Sequence, residues 1–128
     1  MLTRNQFDIL SGIMGERERI LWADDHMFLI DRSGLFEFVE EEGHEVVAKP
    51  KSVEEVESVL DSGIKPTLAI VDGNMPSKGD GERAAAIIRE KSPETKVVSY
   101  SSVAQSWGDQ NWHKDMDLHE LIEKIRNI

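Results

Sequence analysis

Short apolar runs alternate along this chain with longer stretches in which apolar side chains recur every three or four positions. A short run rich in β-branched residues is typical of a buried strand, whereas the wider spacing is typical of an amphipathic helix. Five strands are predicted, at 19–25, 45–49, 67–72, 96–101 and 111–114. Helices are predicted at 26–42, 53–62 and 82–91, and from Asp117 onward.

Several of these helices carry recognisable end signals. Ser52 and Asp117 are each followed three residues later by a glutamate, the capping pattern of a helix start, and Gly43 and Gly63 are suited to helix ends. In the first helix, the residues expected to face the core are Phe28 or Leu29, Leu35, Phe38 and Val39.

The alternation of strands and helices predicts an α/β fold, in which a parallel sheet is covered by helices on both faces. Right-handed crossovers place the carboxyl ends of all the strands at one edge of the sheet. Between the fourth and fifth strands, no helix fits the mostly polar segment 102–110. Residues 19–128 are expected to form one domain, since 128 residues suffice for a single core.

Residues 1–18 precede this domain as a leader. Their apolar residues lie at helical spacing, but Gly12 and Gly15 disfavour a helix, so a short helix and a disordered leader both stay open. We expect such a helix to cover apolar surface that a missing helix between the last two strands would expose.

Composition excludes several classes of function. The chain contains no cysteine, which excludes a disulfide scaffold, a thiolate zinc site and a cysteine nucleophile. Its net charge of −10 disfavours direct nucleic-acid binding. The apolar runs are too short for a membrane span, and the first residues are too polar for a secretory signal, so a cytoplasmic protein is expected.

The stretch Leu68–Pro76 is the first candidate for chemistry. Four apolar residues lead into Asp72, and the glycine, amide and proline that follow are typical of a loop. Ligands of open parallel sheets bind at the carboxyl ends of strands, which makes Asp72 a functional candidate. Aspartate is also a common turn residue, so the position by itself does not decide between the two interpretations.

Other polar residues follow the neighbouring strands. Asp24 and Asp25 end the first strand, Ser101 ends the fourth and Lys114 ends the fifth. If the first and third strands are neighbours, three carboxylates converge, and a hard divalent cation such as Mg²⁺ would relieve their repulsion. These residues suit the transfer of a phosphoryl group to a carboxylate. Asp72 would be the nucleophile, and Asp24 and Asp25 would hold the metal. Ser101 and Lys114 would bind phosphoryl oxygens.

The motifs Ala-Asp-Asp-His at 23–26, Val-Asp-Gly-Asn-Met-Pro at 71–76, a hydroxyl residue at 101 and Lys-Asp at 114–115 together resemble the receiver domain of two-component response regulators. The resemblance covers residues 19–128 and is nearest to the nitrate-regulator-like class, whose receivers are usually fused to a helix-turn-helix domain. It implies a flavodoxin-like, doubly wound (βα)5 fold with strand order 2-1-3-4-5.

The resemblance also implies roles for individual residues. Asp72 would be the phosphoacceptor, and Asp25 and Asp72 would ligate Mg²⁺ directly, whereas Asp24 would act mainly through water. The backbone carbonyl of Asn74 would be a further ligand.

Ser101 and Lys114 would take the switch serine and lysine roles. A sensor histidine kinase or phosphotransfer protein would donate the phosphoryl group to a domain that has no separate substrate, and the output partner and a homodimer stay open.

Two features depart from the family pattern. Only twelve residues separate Ser101 from Lys114, roughly nine fewer than usual, or about two and a half helical turns. The family's fourth helix is therefore expected to be short or absent. The aromatic residue usual three positions before the lysine is Asn111, which makes an aromatic switch doubtful. Trp107 and Trp112 are either an exposed partner contact or packing over a shortened loop.

Two other functions stay in view. A receiver-like interaction module that works without phosphorylation would account for the lost helix. A phosphatase-type hydrolase would need a second acid two residues after the nucleophile, where this chain has Asn74. His26 follows the acidic pair and is expected to be a helix-start residue rather than a metal ligand.

Overall fold

The computed structural model describes residues 17–128, and the predicted leader 1–18 therefore lies almost entirely outside the described residues. The strands are β1 Arg19–Ala23, β2 Glu45–Ala48, β3 Leu68–Val71, β4 Lys96–Ser101 and β5 Gln110–His113. The helices are α1 Met27–Arg32, α2 Leu35–Glu41, α3 Val53–Asp61, α4 Asp80–Lys91 and α5 Leu118–Asn127.

The five strands form one sheet in the order β2-β1-β3-β4-β5, and every neighbouring pair is parallel. The predicted α/β fold with strand order 2-1-3-4-5 is therefore confirmed. Strand β3 lies at the centre of the sheet and is fully buried, as its uninterrupted apolar sequence predicts. Its carboxyl end is the point where Asp72 begins the next loop.

Alternate residues of the strands enter two separate cores, one on each face of the sheet. On the first face, Ile20, Trp22 and Ile70 pack with residues of α1, α2 and α5. On the second face, Leu21 and Val71 pack with residues of α3 and α4. The sheet is thus covered on both sides, and a site is expected in the loops at the carboxyl ends of its strands, where open parallel sheets bind their ligands.

The capping predictions for two helices are confirmed. The Ser52 side chain accepts a hydrogen bond from the Glu55 N–H at 3.2 Å, and the Asp117 side chain accepts one from the Glu120 N–H at 2.8 Å. These bonds fix where α3 and α5 begin, because each satisfies a backbone donor of the first helical turn.

The prediction of a single helix over 26–42 is wrong. Helix α1 ends at Arg32, and α2 begins after Gly34, whose φ of 84° is a left-handed conformation that glycine tolerates. The break changes which residues face the core after it. Phe36 is buried and packs edge-on against Trp22 at 5.3 Å between ring centroids, whereas Phe28 is 68% exposed. Leu29 and Phe38 are also exposed.

Residues 102–109, here called the connecting segment, join β4 to β5, and the structure places no helix among them. The prediction that the family's fourth helix is short or absent is confirmed. Within the described residues, no helix is long and apolar enough to cross a membrane.

Candidate functional site

The acidic residues meet because their strands are neighbours. Ala23 pairs with Val71 across β1 and β3, so Asp24 and Asp72 are the next residues on two adjacent chains. The Asp72 N–H donates to the Ala23 carbonyl at 2.9 Å, which carries the strand pairing one residue further. Both carboxylates are buried, with 1% of Asp24 and 8% of Asp72 exposed.

Lys114 brings a positive charge to the same place from the end of β5. Its Nζ donates to Asp24 Oδ2 at 2.7 Å and lies 3.4 Å from Asp72 Oδ2. The Lys114 N–H donates to the Ser101 carbonyl at 3.0 Å, so pairing of β4 with β5 delivers this lysine to the carboxyl edge. One ammonium group therefore bridges two buried carboxylates that come from different strands.

Burial and the neighbouring charges shift the pKa values of Asp72 and Lys114. Burial raises the pKa of Asp72, and the nearby charge of Asp24 raises it further, although Lys114 opposes both effects. Burial by itself lowers the pKa of Lys114, but its hydrogen bond to Asp24 and the two carboxylate charges outweigh burial and raise that pKa. The lysine consequently stays charged, and Asp72 holds a proton more readily than an ordinary aspartate.

Asp25 leaves one oxygen of this site without a hydrogen bond. Its Oδ1 is buried and accepts no hydrogen bond from the described residues, although His26 Nδ1 lies 3.2 Å away. One ligand atom from each of Asp24, Asp25, His26 and Asp72 lies within 4.8 Å of the others. An unsatisfied buried oxygen among converging carboxylates fits a divalent cation, because oxygen-rich sites suit Mg²⁺ and Ca²⁺.

The loop after β3 begins by turning back towards the Asp72 side chain. The Asn74 N–H lies 3.5 Å from Asp72 Oδ1, and Asn74 pairs with Lys78 across the loop. Further on, Asp80 accepts a hydrogen bond from the Ser77 N–H at 3.0 Å. This bond explains why α4 begins at Asp80 rather than at the predicted residue 82, since the buried side chain orders the turn before the helix.

Ser101 lies at the end of β4 with 2% of its surface exposed. Its Oγ accepts a hydrogen bond from the Val103 N–H at 3.3 Å. A Cβ placed on Gly73 would lie 2.9 Å from this oxygen, so Ser101 Oγ directly borders the residue that follows Asp72. The structure thus brings together Asp24, Asp25, Asp72, Asn74, Ser101 and Lys114, the residues singled out in the sequence.

The connecting segment packs on the same loop, and sequence reasoning missed the contacts that it uses. A Cβ on Gly73 would lie 2.6 Å from Gln105 Nε2, and one on Gly81 would lie 2.8 Å from Trp107 Cζ2. The Trp107 Nε1–H donates to Gln105 Oε1 at 2.8 Å. Gly73 in the loop and Gly81 in the first turn of α4 were the available signal, because a glycine often marks a close approach of another segment.

The two tryptophans near this segment have different positions. Trp107 is half-buried and packs against the core beneath α4, which supports packing over a shortened loop. Trp112 is 4% exposed and belongs to the other core, so the idea that it forms an exposed contact is wrong. At the position that is usually aromatic, Asn111 Oδ1 accepts a hydrogen bond from Ser99 Oγ at 2.8 Å.

Comparison with solved structures identifies the fold. The signal receiver domain of the response regulator NarL from Mycobacterium tuberculosis matches with a TM-score of 0.70 and 22% identity, covering 88% of this chain and 95% of that one. A LuxR-family response regulator from an Aurantimonas species matches with a TM-score of 0.72 and 22% identity, covering 88% and 84%. No protein-family model and no curated protein matches the chain.

A third similar structure carries a chemical group of interest. It is a response regulator from Burkholderia pseudomallei with a phosphorylated aspartic acid, a calcium ion and citrate; its TM-score is 0.67 and its identity 13%, covering 86% of this chain and 71% of that one. The chain therefore has the fold of a response regulator receiver domain.

Proposed function

We propose that this chain is a receiver domain that accepts a phosphoryl group on Asp72 in a Mg²⁺-dependent reaction and signals by changing conformation. The observation that carries the proposal is the convergence of Asp24, Asp72 and Lys114 beside the unsatisfied oxygen of Asp25. The same fold carries a phosphorylated aspartic acid and a calcium ion in the Burkholderia protein, which supports this reading of the site.

Asp25, Asp72 and the carbonyl of Asn74 would hold the metal, and Asp24 would act on it mainly through water. When bound, Mg²⁺ supplies charge neutralisation for the phosphoryl oxygens and the carboxylates. The residues fit this task, because their carboxylate oxygens are of the hard type that Mg²⁺ binds.

Asp72 is the nucleophile of the proposed reaction. A new O–P bond forms at its carboxylate while the bond between phosphorus and the donor's leaving group breaks, so the phosphoryl group is transferred intact. Asp72 lies 8% exposed at the open edge of the sheet, where a donor can approach. Of the three carboxylates, it is the one that ends the central strand.

Lys114 and Ser101 respond to the added charge. The Lys114 ammonium is already 3.4 Å from Asp72 Oδ2, so a small movement would place it on a phosphoryl oxygen. Ser101 Oγ borders Gly73 and would donate its hydroxyl proton to another such oxygen. Because both side chains are linked to β4 and β5, their movement would change the surface formed by the strand ends and the connecting segment.

The expected donor is a sensor histidine kinase or a phosphotransfer protein, and the expected setting is the cytoplasm. The domain would catalyse only its own phosphorylation and hydrolysis, and no direct nucleic-acid contact is proposed for it. Residues 19–128 would carry these functions, with 1–18 as a leader.

The test is incubation with acetyl phosphate and Mg²⁺, followed by intact-protein mass spectrometry. We expect one added phosphoryl group in the wild type, none in Asp72→Asn, and none when EDTA replaces Mg²⁺. Asp61→Asn is the matched control, because Asp61 is an exposed aspartate paired with Lys91 away from the site. An adduct that survives in Asp72→Asn would show that another residue is the acceptor.

A second candidate is an interaction module that works without phosphorylation. The connecting segment favours it, because this segment has no helix and its Trp107 packs against Gly81 in the first turn of α4. The same experiment separates the candidates, since a module of this kind would give no adduct under conditions in which it remains folded.

A further inference from the structure

The residue after the acidic pair, His26, lies at the edge of the candidate metal site. Its Nδ1 is 3.2 Å from Asp25 Oδ1 and 3.6 Å from Asp24 Oδ1. These two oxygens belong to different carboxylates, so the imidazole faces the site rather than one neighbour alone. His26 also completes the set of four ligand atoms that lie within 4.8 Å of one another.

The backbone holds His26 in this position. Its N–H donates to Asp24 Oδ1 at 2.8 Å, which closes the turn between the end of β1 and the start of α1. His26 occupies the N-cap position of α1, yet its side chain makes no capping hydrogen bond there. The imidazole is therefore not needed to begin the helix, and a helix-start role does not explain why it faces the carboxylates.

We propose that His26 is a nitrogen ligand of the metal held by the acidic site, and that it shifts the preference of this site from Mg²⁺ towards Mn²⁺ and Co²⁺. The inference rests on the proposed metal-binding role of Asp25 and Asp72. It goes beyond that role because the metal ligands proposed above are carboxylate and carbonyl oxygens and include no nitrogen.

Ligand chemistry gives the reason for the shift. Mg²⁺ prefers oxygen ligands and retains its waters, whereas imidazole is a good ligand for divalent first-row transition metals. A site of carboxylates alone would discriminate weakly between these ions. Adding one imidazole favours the transition metals selectively, because the nitrogen adds little to the binding of Mg²⁺.

Solvent access to His26 is compatible with this role. Its side chain is 66% exposed, while Asp24 is 1% exposed and Asp25 21%. Asp25 and Asp72 would hold the ion together with the imidazole, which remains open to solvent. This arrangement leaves room for water or a phosphoryl oxygen on the solvent side of the ion.

The first measurement is calorimetric titration of the whole protein with Mg²⁺, Mn²⁺ and Co²⁺ separately, at a pH above the ordinary pKa of histidine. We expect His26→Ala to weaken Mn²⁺ and Co²⁺ binding by about tenfold or more and Mg²⁺ binding by less than about twofold. His119→Ala is the matched control, because His119 is exposed on α5 and lies outside the site. Equal losses for all three ions in His26→Ala would overturn the proposal.

The second measurement is pulsed electron paramagnetic resonance of bound Mn²⁺, which detects a directly coordinated imidazole nitrogen. The nitrogen coupling should be present in the wild type and His119→Ala and absent in His26→Ala. Mn²⁺ bound without nitrogen coupling in the wild type would overturn the inference.

The two proposals fail in different ways. Phosphorylation of Asp72 together with a nitrogen-free Mn²⁺ site would overturn only the role of His26. Nitrogen-coupled Mn²⁺ in a protein that takes up no phosphoryl group would overturn only the phosphoacceptor role. Absence of any metal binding in a folded protein would overturn both.

Discussion

The acidic site and the connecting segment lie side by side at the carboxyl edge of the sheet, but they relate to the receiver pattern in opposite ways. The acidic site consists of Asp24, Asp25, Asp72 and Lys114, the residues to which the resemblance assigns roles, and these side chains lie close together. The connecting segment 102–109 has no helix where receivers usually have one. The acidic site, which would perform the chemistry, thus follows the expected pattern, whereas the connecting segment, which would report it, departs from that pattern.

The connecting segment still borders the acidic site. Gln105 borders Gly73, the residue after Asp72, and Trp107 borders Gly81 at the start of α4. A Cβ at Gly81 would collide with the Asp72 carbonyl oxygen as well as with Trp107, so this approach requires a residue without one, whereas the flexible Gln105 side chain could shift away from a Cβ at Gly73. A structural change at Asp72 could therefore affect the connecting segment without a fourth helix, because the segment contacts the loop that follows Asp72.

Lys114→Met should have the largest effect of the changes that test this comparison. It leaves Asp24, which is 1% exposed, facing Asp72 without a cation, and removal of one member of a buried ion pair costs about 3 kcal/mol. Urea unfolding in EDTA measures this loss of stability. Millimolar Mg²⁺ should restore part of it if the carboxylates bind the ion.

Lys91→Met is the control for that measurement. Lys91 forms an exposed ion pair with Asp61 at 2.8 Å, and solvent screens such a pair, so this variant should lose much less stability than Lys114→Met. Equal losses in the two variants would mean that the acidic site is no more than another surface ion pair.

Trp107→Ala should come next, with a loss of roughly 2 kcal/mol, because a half-buried indole leaves the core beneath α4. Hydrogen exchange should also increase within residues 102–109 and in the first turn of α4 around Gly81. Val103→Ala is the control, since Val103 belongs to the same segment but is 58% exposed. Faster exchange in the segment alone would show that it does not support the site loop.

Asp72→Asn should raise stability slightly at neutral pH without metal. The pKa of Asp72 is raised, so the ionised group disfavours the folded state: its favourable contribution is present below pH 3.8 and is lost as pH rises through the folded pKa. An amide removes that repulsion, and we expect a melting temperature higher by roughly 2–4 °C. In millimolar Mg²⁺ the order should reverse, because the variant lacks a ligand. A lower melting temperature in EDTA would indicate that the contact with Lys114 outweighs the repulsion.

The pH dependence of metal binding should give the smallest difference between the acidic site and the connecting segment. Because burial and Asp24 raise the pKa of Asp72, protons should begin to compete with the metal at a higher pH than for an ordinary carboxylate. Residues 102–107 contain no titratable side chain, so their hydrogen-exchange protection in EDTA should not follow the same curve after correction for intrinsic rates. Calorimetric titration between pH 7 and pH 5 checks the first part.

Much of the fold could be predicted because its signals are local. The apolar run before Asp72 and the capping serine at 52 depend on residues within a few positions of one another, and both predictions are confirmed. The first helix was predicted wrongly because Gly34 breaks it, and the sequence there remains compatible with one helix. The resulting shift buried Phe36 and left Phe28 exposed, a choice that depends on contact with Trp22 across the core.

By itself, the sequence determined which residues stand at strand ends, since apolar periodicity and loop residues mark these ends, and it brought Asp72 to the edge of a parallel sheet. Only the tertiary structure decided that Lys114 bridges Asp24 and Asp72, that Asp25 Oδ1 stays unsatisfied and that His26 faces the site. It likewise decided that Trp107 packs beside Gly81. Such contacts join residues far apart in the chain, and their distances depend on strand pairing and packing, which no local pattern encodes.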